Sequence, residues 1–101
     1  MSRVLLFADF GQGLRYVCRM TQARASDTWF TWGANTKDPR PTARRWFLVE
    51  CESAAAGRAA IKAFERPLKD YESPSVLPCA VKSASGIVGR ILDSGTNEAR
   101  P

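Results

Sequence analysis

The side chains in this 101-residue chain with the most capacity for chemistry are its arginines, its three tryptophans and its three cysteines; histidine is absent. Without histidine there is no Ser/His or Cys/His pair to activate a nucleophile, and no imidazole to hold a metal. Cys18, Cys51 and Cys79 contain no CxxC pair and are too few to close a structural zinc site. Cys18 and Cys51 lie in apolar, strand-like stretches and read as small buried hydrophobes. Asp9, Glu50 and Glu52 are the acids in or beside such stretches. Glu50 and Glu52 share one strand face with Trp46 and Leu48, which fits a solvated face or partners for arginine better than an acid/base pair. Gly11-Gln12-Gly13 lacks both the third glycine and the following helix of a dinucleotide-binding turn. These exclusions lead to a non-enzymatic protein that uses no cofactor and no metal.

What remains is a pattern of arginine and aromatic residues. Arg15, Arg19, Trp29, Arg45 and Trp46 fall on strand-like stretches, and Lys37, Arg40 and Arg44 fall in or beside the loop spanning residues 33–43 (GANTKDPRPTA). Arginine pairs with phosphate, and aromatic rings stack on bases, as on sheets that bind RNA or single strands. The net charge is +5, from 15 basic and 10 acidic residues, and the N-terminal half holds most of it. Residues 1–50 carry eight basic and four acidic groups, and residues 51–101 carry seven and six. Two readings follow, with an enzyme as a remote third alternative. In the first, a basic, aromatic sheet face and the 33–45 loop bind nucleic acid or a nucleoprotein. In the second, the chain is a protein-binding module or inhibitor, of the kind phages and mobile elements encode, directed at an acidic partner. Tryptophan and arginine serve both, being enriched at binding hot spots.

The elements that would position these residues are organised around residues 44–71, RRWFLVECESAAAGRAAIKAFERPLKDY. Eight residues of β composition pass into a helical pattern at Ser53, a good N-cap. Gly57, Ile61, Phe64, Leu68 and Tyr71 then recur at helical spacing, and Pro67 predicts a kink or an end near Arg66. A buried strand feeding an amphipathic helix is half of a two-layer α+β sandwich. Upstream, residues 3–10 (RVLLFADF) are apolar on both faces and read as a central strand. After the glycine link, residues 14–21 alternate, with Leu14, Tyr16, Cys18 and Met20 on one face and Arg15, Val17 and Arg19 on the other. Residues 28–32 (TWFTW) have β composition. Downstream, residues 76–83 read as a strand with Pro78 at an edge or a strand start. Spacing through Ile87, Val88, Ile91 and Leu92 permits a short C-terminal helix, weakened by Gly86 and Gly89.

The expected fold is therefore α+β: a mostly antiparallel sheet of about five strands, ordered β-β-β-β-α-β, with one long helix on one face. A single domain spans residues 1–93, and residues 94–101 form a polar, frayed tail. The longest apolar run is too short for a membrane span, and no signal peptide is visible, so the expected location is the cytoplasm.

Overall fold

The computed structural model describes residues 3–20, 39–83 and 86–97. Its sheet has five antiparallel strands, with one helix packed against it. In chain order they are β1 (Arg3–Asp9), β2 (Leu14–Met20), β3 (Arg45–Cys51), α1 (Ala54–Phe64), β4 (Cys79–Ser83) and β5 (Gly86–Thr96), with a 3-10 turn at Arg40–Thr42. The strands lie in the order β2-β1-β3-β5-β4, so β3 is central and the sheet is open at β2 and β4. The strand expected at residues 28–32 lies outside the described residues.

The sheet is apolar on both sides, which explains the unbroken hydrophobic run of β1. Leu5 and Phe7 of β1 join Phe47, Val49 and Cys51 of β3, Ile91 of β5 and Val81 of β4 under the helix, which contributes Ala60 and Ile61. Val4 and Leu6 point the other way and cluster with Met20 and Leu48. Every residue from Val4 to Ala8 is buried. β3 shows the same double burial through Phe47, Leu48 and Val49, as a central strand should.

The helix begins where its cap requires. Ser53 is extended, and its hydroxyl oxygen accepts from the Ala56 amide at 3.1 Å, satisfying one of the first-turn donors. Ser53→Ala is therefore expected to cost about 1 kcal/mol, read as a lower urea midpoint with an unchanged slope. The helix ends at Phe64, with Glu65 as C-cap, just ahead of Pro67. The apolar face is thus shorter than the spacing implies: Leu68 is 48% exposed and Tyr71 81% exposed. Pro67 cannot donate to the helical ladder, and the chain leaves the sheet at that point. Arg66 folds back onto Glu72 through two hydrogen bonds of 2.9 and 2.6 Å, and with the Lys69 amide this draws the Glu72 carboxyl down to about 2.

Two sequence expectations are corrected. The short C-terminal helix does not form; residues 86–96 are β5, paired with both β3 and β4. Gly89 is the reason the sheet wins. It sits under the helix, where an added Cβ would lie 3.1 Å from the Ala60 methyl and 3.2 Å from the Glu50 carbonyl oxygen. A strand without a side chain at that point lets α1 settle onto the sheet, and glycine is in any case a poor helix former. β5 also continues through Thr96, into the stretch that reads as a tail.

The second correction concerns β2. Its alternation is broken by a bulge: Leu6 pairs with Cys18, but Phe7 pairs with Tyr16, leaving Val17 as the extra residue. Tyr16 therefore turns to the helix-covered side, where its ring meets Phe7 edge-on at 5.9 Å. Leu14 packs on that same cluster, whereas Cys18 and Met20 join the opposite one. One extra residue thus reverses the two halves of the strand relative to each other.

Candidate nucleic-acid interface

The hairpin end of the sheet, on the face away from the helix, gathers the residues best placed to meet a ligand. Register fixes a row across four strands there: Arg15 on β2 lies opposite Ala8 on β1, Ala8 opposite Trp46 on β3, and Trp46 opposite Gly95 on β5. Partners in register share a face. The strand spacing puts the Arg15 and Trp46 backbones roughly 10 Å apart. Two positions of the row, on β2 and β3, are associated with an arginine held against a ring. The Arg15 guanidinium carbon is 5.0 Å from the centroid of the Phe10 ring, and that of Arg40 is 5.2 Å from the Trp46 ring. Such cation–π contacts are worth about 0.5–1 kcal/mol at exposed sites. More usefully, they fix the flat face of each guanidinium against a ring.

The place of Trp46 depends on a residue that sequence reasoning passed over. Its indole fills the volume a side chain at position 95 would take: a Cβ on Gly95 would fall 2.6 Å from Nε1 and 2.7 Å from Cε2. Gly95 therefore sets the ring's resting position, and Arg40 lies over it. Arg40 in turn depends on Asn97. The Asn97 amide group donates to the carbonyl oxygens of Arg40 (3.0 Å) and Ala43 (2.7 Å), and its backbone amide donates to Arg44 (2.8 Å). Thr96 Oγ1 donates to the same Arg44 carbonyl, and the Arg44 amide donates to Asp9. The proline-bearing segment before β3 is thus tied to the sheet from both sides, with Arg44 exposed at its edge. Neither Gly95 nor Asn97 carries a sequence signal for this role, because each acts on residues about fifty positions away.

The eight residues singled out from the sequence are distributed as follows. Arg15, Arg40, Arg44 and Trp46 come together at this end of the sheet. Arg19 does not: it pairs in register with Leu5, which places it on the helix-covered face and toward the other end of β2. The bulge at Val17 separates it from Arg15. Arg45 is also on the helix side, where it pairs with Asp9 at 3.5 Å and with Glu65 of the helix C-cap. A guanidinium between two carboxylates is structural. Asp9 in turn accepts from the amides of Gly11 (2.7 Å) and Gly13 (3.2 Å). Those amides, Gly11 foremost, and Arg45 hold its carboxyl below the usual carboxylate range. Asp9 is thereby committed to the β1–β2 turn. Trp29 and Lys37 lie outside the described residues. Phe10, which carries no local signal for such a role, joins the candidate site as the ring beneath Arg15.

Neither Arg15 nor Arg44 meets a carboxylate among the described residues. The described residues also contain no group of three or more His, Cys, Asp or Glu side chains able to hold a metal, and no helix long and apolar enough to cross a membrane. Cys51 is buried beneath the helix, and burial raises its thiol pKa. It is expected to resist a thiol reagent in the folded protein and to react only on unfolding, as mass spectrometry after timed labelling would show. Comparison with protein-family models, with curated proteins and with solved structures gives no match for this chain.

Proposed function

We propose that this protein is a small non-enzymatic binding protein that takes a nucleic-acid strand, free or within a nucleoprotein, across the hairpin end of its sheet. The observation that carries this reading is the pair of arginine–aromatic stacks along one register row, at Arg15 on β2 and Trp46 on β3, with Arg44 beside them. In it, Arg15, Arg40 and Arg44 meet phosphate oxygens, and Phe10 and Trp46 hold the first two guanidiniums in place. Trp46 is a positioning residue here more than a stacking platform, since Gly95 and Arg40 already occupy its surroundings. Recognition of this kind follows the backbone and is indifferent to base sequence.

The test is equilibrium binding of labelled, mixed-sequence single- and double-stranded oligonucleotides at 50 and 200 mM salt. Backbone recognition predicts affinity that falls steeply with salt and varies little with sequence. Absence of binding at the lower salt would transfer the same arginines to an acidic protein surface.

A further inference from the structure

The sheet closes on neither side, but its two edges are not alike. β2 is guarded: a bulge bends it at Val17, and Arg15 and Arg19 punctuate it, devices that discourage strand addition. β4 is guarded less, with no bulge of its own and a single basic residue. The extra residue of the β4–β5 register shift, Val88, belongs to β5, so the outer strand runs straight, with one cation, Lys82. Among the described residues, nothing is hydrogen-bonded to the outer side of Cys79–Ser83.

Alongside this edge, on the helix-covered face, runs a groove of about 210 Å³ between the end of α1 and β4. Ala63, Phe64 and Leu68 line one wall, Cys79 and Val81 the other, and no carboxylate lines it. Arg66 also borders it but is held by Glu72. Lys82, exposed and in no ion pair among the described residues, follows Val81 on the strand and so turns to the opposite face of β4.

We infer that β4 accepts an extended acidic segment of a partner protein as an added strand. Backbone hydrogen bonds along Cys79–Ser83 give the register. Alternate apolar side chains of the segment, opposite Cys79 and Val81, enter the groove, and a carboxylate opposite Lys82 supplies charge complementarity. Strand addition with pockets for alternate residues is a recurrent mode of peptide recognition. A second copy of this chain fits poorly, because it would bring another Lys82-bearing edge and another net charge of +5 to the same place. The site is separate from the Arg15–Arg40 face and does not depend on it.

The experiment is fluorescence anisotropy with a labelled, end-blocked octapeptide alternating valine and glutamate. The expected result is saturable binding that an oligonucleotide does not compete away. N-methylation of one alternate set of peptide amides should weaken binding roughly tenfold or more, because those amides face β4, while methylation of the other set is tolerated. Lys82→Glu, a change at an exposed position, should weaken the valine–glutamate peptide and favour a valine–lysine one. Absence of binding, equal effects of the two methylation patterns, or indifference to Lys82→Glu would overturn the inference. So would a concentration-dependent dimer that blocks peptide uptake.

Discussion

Phe7→Ala is expected to cost about 3–5 kcal/mol, the range for emptying a fully buried aromatic site. The typical total for such domains is only about 5–15 kcal/mol. Phe7 is wholly buried in β1, meets Tyr16 edge-on, and fills the space beneath the helix at Gly57. The fit is close enough to make a counter-intuitive companion prediction. Alanine at position 57 is the better helix former by about 1 kcal/mol, yet its Cβ would lie 2.6 Å from the Phe7 ring. Overpacking of that kind costs about 1–3 kcal/mol, so Gly57→Ala should destabilise. Relief should come from the partner: Phe7→Leu combined with Gly57→Ala should be less harmful than the sum of the two, with a coupling of about 0.5–3 kcal/mol. Urea unfolding of the four proteins measures it, and strict additivity would show that the helix does not rest on Phe7.

That contact also shows which parts of the fold were legible. Gly57 stands out in sequence as a member of the helix's buried stripe, and the stripe is real as far as Phe64. The strand–cap–helix unit around Ser53 is local, and local rules suffice for it. β1 could be read as central because its apolar residues occupy both faces. The bulge at Val17 and the conversion of residues 86–96 from a helical spacing to β5 were not legible, since both are settled by pairing partners distant in the chain. The site divides along the same line. Arg15, Arg40, Arg44 and Trp46 were identifiable by type and local charge. That Arg19 faces the helix side and that Arg45 is bound to Asp9 and Glu65 depends on register and on the helix end, which spacing alone does not fix.

The second large effect concerns binding. Replacing Arg15, Arg40 and Arg44 together with alanine should reduce the slope of log affinity against log salt by roughly two to three units, from the loss of three phosphate contacts. The domain should remain folded, since Arg15 and Arg44 are exposed and the backbone bonds of residues 40–44 need no side chain there. Arg45→Ala should behave in the opposite way: stability falls through the loss of two carboxylate partners, while the salt slope stays the same. Gly95→Ala provides a third contrast, displacing the Trp46 indole and with it the resting place of Arg40, so that affinity falls without removal of any charge.

Passage of a nucleic-acid strand across the hairpin end of the sheet, on the face away from the helix, would be visible by NMR. Backbone amide shifts would be followed while a mixed-sequence single-stranded oligonucleotide is added at low salt. Within residues 3–20, 39–83 and 86–97, the largest changes are expected in residues 10–15, 40–46 and 95–97. Changes centred on the α1 surface, or no changes at all, would contradict that placement.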